Sequence, residues 1–211
     1  MQTATRNEST TSPARPGDRR RKMLAILAGG LVLGVGAAVT LAVWNDSEFA
    51  TGTFGSGQFE LEGSLDGTAF SSSETAPGKP LAFAVDADLL SPGAVVYAPF
   101  AVQLSSDSTY EASVDLASTT SGTIGAELTY SLYDVGATFG ATCSAATPPS
   151  GTALVTDQPV ASPTPAAVFE LTAVTDPVNL CFVVTASSTL PAAQTGTVTW
   201  EFLGESTDPL P

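Results

Sequence analysis

Most of the chain is built of short runs in which apolar and polar residues alternate with a period of two, separated by clusters of Gly, Pro, Ser, Asp and Thr. In the run 124–132 the apolar positions include Ile124, Leu128 and Leu132, and 198–202 repeats the pattern. Such alternation is typical of a strand that buries one face and exposes the other. Further candidate strands are 54–61, 81–85, 95–104, 109–116, 169–173 and 178–185.

These runs predict an all-β domain. Eight or so strands are expected, and no stretch of ten residues after residue 43 has helical periodicity free of Gly and Pro. We expect a two-sheet antiparallel sandwich of the jelly-roll type over residues 63–211. A domain of this size buries about 70% of its unfolded surface, so one hydrophobic core is sufficient.

The first 42 residues have a different pattern. Residues 1–22 are polar and end in the basic run Arg19-Arg20-Arg21-Lys22, whereas residues 23–43 carry no charge. A basic region, an apolar core and then small residues such as Ala42 form the layout of a signal peptide. We therefore predict a helical signal segment over 1–42, with 1–22 as its basic region and 23–42 as its core.

The predicted cleavage site lies after Ala42, with Val43 as the competing site. As a helix, the 21 uncharged residues from 23 to 43 would span roughly 31 Å, enough to cross a bilayer. A retained membrane anchor is therefore the alternative. In both cases the rest of the chain is exported, and the membrane is contacted only through this segment.

Removal of the signal segment leaves a strongly acidic protein. Residues 43–211 contain 19 acidic residues and a single basic one, Lys79, which gives a net charge of −18. A surface of this charge repels phosphate backbones, so nucleic acids are excluded as partners.

The residues available for catalysis are few. The chain has no histidine and two cysteines. This composition excludes hydrolase triads that use imidazole, His-ligated zinc or copper sites and four-thiolate metal sites. We accordingly predict no catalytic residue, no cofactor and no enzymatic activity.

Three pairs of carboxylates stand close together in the sequence: Glu60 with Glu62, Asp86 with Asp88, and Glu201 with Glu205. Pairs on one strand face are interpreted as solvated surface. Asp86 and Asp88 end a predicted strand in a loop and are weak calcium candidates, since EF-hand spacing is missing. A calcium-dependent hydrolase is therefore kept as a second alternative.

Five prolines lie between residues 147 and 165, which predicts a stiff surface loop with, at most, a short edge strand at 153–156. Cys143 and Cys181 flank this loop. In an exported chain two cysteines favour a disulfide bridge, here closing 38 residues and contributing roughly 4 kcal/mol. Two buried reduced cysteines are the alternative.

Several motifs of the chain resemble exported proteins of the TasA/camelysin type, whose signal peptides are cut by a SipW-class peptidase. These motifs are the Gly-rich core 29–42, the junction Val43-Trp44-Asn45-Asp46-Ser47-Glu48 and the segment Thr53-Phe54-Gly55-Ser56-Gly57-Gln58-Phe59-Glu60-Leu61. Leu90-Ser91-Pro92-Gly93 followed by Pro99-Phe100-Ala101-Val102, and the closing Val198-Thr199-Trp200-Glu201-Phe202, are also similar to that family.

The resemblance implies a secreted or cell-surface bacterial protein that is a structural subunit of the extracellular or biofilm matrix. Its implied partners are a signal peptidase with the export machinery, and copies of itself or related matrix subunits. Fibre formers of the family assemble by donor-strand exchange, in which a segment of one subunit adds a strand to the next. The matching segment is 43–62, with Phe49, Phe54, Phe59 and Leu61 as candidate donor positions.

Two alternatives remain for this segment and for the whole protein. The segment could be the first strand of its own sheet or a disordered leader. The protein could instead be a surface binding module or adhesin, anchored by residues 23–43 and using the Pro-rich loop for contact.

Overall fold

The computed structural model describes residues 16–40, 47–83, 87–162 and 166–211. The chain forms two compact units, residues 1–54 and 55–211. The first contains helix α1, Pro16–Thr40, and the second contains all the strands.

Helix α1 begins before the basic run and extends into the uncharged one as far as Thr40. Its described apolar side chains are 58–74% exposed: Met23, Leu24, Ile26, Leu27 and Leu31. Within the described part of the chain, no helix has the length and hydrophobicity needed to cross a membrane. The cleavage candidates Ala42 and Val43 lie outside the described residues.

The second unit is the predicted all-β sandwich. Its eight strands are β1 Leu61–Ser64, β2 Val95–Leu104, β3 Tyr110–Gly122, β4 Leu128–Asp134, β5 Thr152–Pro159, β6 Phe169–Leu171, β7 Val178–Ala186 and β8 Gly196–Pro209. They form a five-stranded sheet in the order β1-β2-β7-β4-β5 and a three-stranded sheet in the order β6-β3-β8. All pairings between these strands are antiparallel.

The pairings are nested along the chain. Strand β4 pairs with β5, β3 with β6 and β2 with β7, as in a long hairpin that is rolled into two sheets. The next pair outward would be β1 with β8. Instead β1 pairs with β2, and β8 pairs only with β3, so the other edge of β8 has no partner strand among the described residues.

The core lies between the sheets and follows the two-residue period. The inward residues of β2 include Val96, Ala98, Phe100, Val102 and Leu104, all buried. Inward residues of the other central strands complete it: Val114, Leu116, Leu128, Tyr130, Leu132, Leu180, Phe182 and Val184. Burial of such side chains contributes about 1.5–3 kcal/mol each.

The first half of the predicted strand 124–132 is wrong, because Ile124–Glu127 forms a 3-10 helix. The chain crosses here from β3 in one sheet to β4 in the other, and the 3-10 turn provides the change of direction. The backbone N–H of Ile124 and that of Thr123 both donate to the carbonyl of Thr195, which fixes the start of the crossing.

Other boundaries differ from the predictions. Residues 54–60 and 81–83 are not in strands, and 84–86 lie outside the described residues. Strands β3 and β8 are longer than predicted because their pairing continues through polar rows such as Thr119 opposite Thr199. Because polar residues lie on both faces of these added parts, the sequence there shows no alternation of apolar and polar positions.

The Pro-rich stretch contains a longer strand than predicted. Strand β5 occupies the edge of the five-stranded sheet, ends at Pro159 and pairs with β4 through two register shifts. Asp157 in β5 has a positive φ of 46°. Proline is tolerated at the end of an edge strand, where its missing N–H breaks no ladder.

The predicted disulfide is confirmed. Cys143 and Cys181 are bonded, with Cα atoms 5.5 Å apart, and both side chains are buried. The bond ties the loop after β4 to β7 and is consistent with an extracellular or other oxidising compartment.

Candidate functional site

An open groove of about 670 Å³ is lined by residues 197–202 of β8, the strand that pairs only with β3 among the described residues. Residues 197–202 of β8 form one wall, β1 and β2 contribute Leu61 and Phe100 from the other sheet, and the loop 73–81 lies at the rim. Ala117 and Thr119 of β3, which pair with Glu201 and Thr199, also line it. Because the groove follows residues 197–202, we call it the β8 groove.

The floor of the β8 groove is aromatic. The ring of Trp200 lies 4.8 Å from that of Phe182 and 6.4 Å from that of Phe83, centroid to centroid. Phe202 stacks on Phe100 at 5.6 Å. These rings give the groove a large apolar surface in a fixed arrangement.

The alternation of β8 explains this floor. Val198, Trp200 and Phe202 point inward, whereas Thr197 and Glu201 are exposed. The three inward residues would be core residues in a closed sandwich, but they are only half-buried. The reason is that no strand of the described chain covers them on the side of the free edge.

The indole N–H of Trp200 is a polar atom that the fold leaves unsatisfied. Nε1 is buried and has no hydrogen-bond partner among the described residues. Buried donors are nearly always paired.

The rim of the groove carries acidic side chains and one cation. Glu62, Glu74 and Glu201 line it together with Lys79, the only basic residue after Lys22. Lys79 Nζ donates to the carbonyl of Ser71 at 2.7 Å and to the hydroxyl of a nearby serine at 2.9 Å, which stabilises the rim loop.

The four candidate donor residues fall into two groups. Phe49 and Phe54 are 90% and 95% exposed, and all residues from 47 to 58 are exposed. Phe59 and Leu61 are partly buried and pack against the core of their own domain.

Hydrogen bonds show where the chain joins the sandwich. The N–H of Thr109 donates to the carbonyl of Gln58 at 2.9 Å, and the N–H of Ser105 donates to the carbonyl of Glu60 at 3.0 Å. Residues from about 57 onward therefore belong to the sandwich. The part of the predicted donor segment that needs no rearrangement of the sandwich is 47–56.

The predicted carboxylate pairs form no common centre. Glu60, Glu201, Glu205 and Asp88 are exposed, and Asp86 lies outside the described residues. Glu62 is half-buried and accepts a hydrogen bond from the side chain of a neighbouring glutamine. In the described part of the chain, no three acidic or cysteine side chains are grouped so that they could hold a metal ion.

Sequence reasoning missed a polar turn after β1. The carboxylate of Asp66 accepts the N–H groups of Ala69 and Thr68, each at 2.8 Å, and the hydroxyl of Ser64 at 3.0 Å. The hydrogen bond from Ala69 has the largest effect, and together these bonds hold the pKa of Asp66 well below its usual value. The Asp66-Gly67 pair, typical of turns, was the available signal.

The sequence matches no protein-family model and no curated protein. The resemblance to the TasA/camelysin type stays a prediction. The function is therefore argued from the β8 groove and from the exposed segment that precedes the sandwich.

Proposed function

We propose that the protein is a secreted, non-enzymatic structural subunit of the bacterial cell surface or extracellular matrix. Copies would polymerise when residues 47–56 of one subunit add a strand to β8 of the next. The observation that carries the proposal is the free edge of β8 beside a half-covered aromatic groove.

The edge of β8 supports this proposal through its backbone. A strand edge presents a row of unpaired N–H and C=O groups, which is a template for another extended segment. β8 is 14 residues long, and β1, its partner in the nested hairpin order, pairs with β2 instead. An added strand would supply main-chain hydrogen bonds along the edge and side chains for the groove.

The segment 47–56 has the properties of such a strand. It is exposed, lacks proline and carries two phenylalanines whose rings face solvent. Burial of one of these rings would contribute about 1.5–3 kcal/mol to association. Main-chain pairing would add to this and would fix the register.

The geometry of exchange determines the product. A donor on one end of a subunit and an acceptor groove on its sandwich form a heterologous contact that does not close. Repetition of that contact gives a filament. Export fits the basic and apolar pattern of residues 1–42 and the buried disulfide.

Electron microscopy and sedimentation of the mature chain test the proposal. We expect filaments from residues 43–211 and monomers from a chain that begins at residue 57. An unchanged melting temperature of the shorter chain would show that its sandwich is intact. Equal filaments from both chains would contradict the donor role.

N-terminal sequencing tests export and processing. Protein recovered from the culture medium or cell surface is expected to begin at Val43 or Trp44. A start at Met1 would contradict the secreted form and favour the anchored adhesin.

A further inference from the structure

Phe49 and Phe54 cannot enter the β8 groove together. They are five positions apart, and successive side chains of a strand point to opposite faces. In any regular strand formed by residues 47–56, one ring therefore faces the groove while the other faces away from it.

The two faces of that strand differ in polarity. Between the two rings, the face of Phe54 carries Ala50 and Gly52, whereas the face of Phe49 carries Thr51 and Thr53. Glu48 and Ser56 share the face of Phe54 but lie outside the stretch 49–54. Two threonine hydroxyls turned onto an aromatic floor would lose their hydrogen bonds to water without gaining a set of partners, which is unfavourable. Alanine and glycine carry no polar side-chain atom, so the stretch 50–54 of the other face enters without this penalty.

The sizes of the residues also favour the face of Phe54. The floor is already partly filled by the rings of Phe83, Trp200 and Phe202. Small residues at 50 and 52 allow the added backbone to approach these rings closely. Six extended residues span about 20 Å, so 49–54 matches the stretch 197–202 that forms the β8 wall.

We infer that Phe54 is the anchor that fills the β8 groove of the next copy, with Ala50 and Gly52 against its floor. Phe49, Thr51 and Thr53 face away from the groove. This inference rests on the proposed strand exchange between copies and identifies which face of the donor strand packs into the groove.

A matched pair of substitutions tests it. Phe54→Ala and Phe49→Ala make the same chemical change in the same exposed segment, so neither should alter the melting temperature of the sandwich. We expect F54A to raise the critical concentration for filaments by about ten- to a hundredfold, and F49A by no more than about twofold. Sedimentation of the mature chain at a series of concentrations gives both values.

Fluorescence provides a second readout. With Trp44→Phe in the background, Trp200 is the only tryptophan of the chain. Assembly should shift its emission in the F49A chain, because the floor of the groove becomes covered. The F54A chain should show no shift at concentrations where the F49A chain assembles.

A titration separates the failure of this inference from that of the proposed function. The acceptor is the mature double variant F49A/F54A, and the probe is a synthetic peptide of residues 47–56 or the same peptide with either substitution. Weaker binding of the F54A peptide alone supports the inference, even if full chains form no filaments. Weaker binding of the F49A peptide alone, or equal binding of all three, would overturn it.

Discussion

The ring of Trp200 in β8 lies 4.8 Å from the ring of Phe182 in β7, so the two sheets are in direct aromatic contact at the floor of the β8 groove. Phe182 is fully buried, whereas Trp200 is only half-buried. This contact marks the boundary between the closed core and the open groove. It holds the floor rigid while one side stays available to a partner.

Replacement of Trp200 should distinguish how much its ring packing and its N–H each contribute to the free energy of unfolding. We expect Trp200→Ala to lower the free energy of unfolding by about 2–4 kcal/mol, because a half-buried ring between the sheets is lost. Trp200→Phe should stay within about 1 kcal/mol of the wild type, since the N–H that it removes has no partner among the described residues.

Urea unfolding of the mature chain measures both values. Leu203→Ala on the same strand is the control, because Leu203 is 46% exposed and should cost less than about 1 kcal/mol. A W200F variant as unstable as W200A would mean that the indole N–H is paired in solution.

Loss of the disulfide should destabilise the sandwich strongly. The double substitution Cys143→Ala with Cys181→Ala opens a loop with a sequence separation of 38 residues. The chain-entropy relation predicts a loss of about 4 kcal/mol in the free energy of unfolding. Denaturant melts of the oxidised wild type, the reduced wild type and the double variant measure it, and a double variant as stable as the oxidised wild type would contradict the prediction.

The turn at Asp66 should contribute to acid sensitivity. Its folded-state pKa lies below the usual value of 3.8, so the unfolded chain takes up a proton there more readily than the folded chain. The contribution of Asp66 to the free energy of unfolding is complete above pH 3.8, the unfolded-state pKa. It is lost as the pH falls through the lower, folded-state pKa. Carboxyl NMR of Asp66, together with melts of Asp66→Asn at decreasing pH, checks this.

The Asp66→Asn variant should lack this part of the pH dependence, because the amide carries no titrating charge. Titration of Asp66 at or above 3.8 in the folded protein would contradict the assigned hydrogen bonds.

Assembly should require screening of charge. Each mature subunit carries a net charge of −18, and Glu74 and Glu201 lie at the groove that the next subunit would enter. Salt shortens the range of this repulsion, with a Debye length of about 10 Å at 0.1 M. We expect the rate of filament growth, followed by light scattering, to rise with sodium chloride.

Neutralisation at the rim gives a matched comparison. Glu201→Gln should accelerate growth at low salt, whereas Glu170→Gln, which removes an exposed charge of β6 that does not line the groove, should do so less. Growth that slows as salt increases would point to attraction between charged groups as the driving contact.

The sequence predicted best the two central strands that are buried over most of their length. The bounds of β2 agree with the prediction and those of β7 differ by one residue, because both are largely apolar runs bounded by polar or turn-forming residues. The alternation at Ile124 and Ala126 was misleading, since the crossing between sheets decides that conformation. Local pattern carries no information on which sheet the next strand joins.

The candidate site could be predicted only in part. The exposed segment with Phe49 and Phe54 was recognised, but its end could not be placed, because the hydrogen bonds of Gln58 and Glu60 depend on residues about 50 positions away. The β8 groove was not foreseen at all. It arises from a missing pairing, and a pattern of inward residues such as Val198, Trp200 and Phe202 looks the same whether or not a strand covers them.

The irregular β5 has a consequence for the shape of any assembly. Its register shifts, the positive φ of Asp157 and the terminal Pro159 leave a poor template at that edge of the larger sheet. Strand β6 has only three residues. Strand β1 has four, and its Gly63 already forms a β-bridge with Ser71. With β8 as the one receptive strand edge among the described residues, such subunits would form unbranched filaments and would not associate laterally into aggregates.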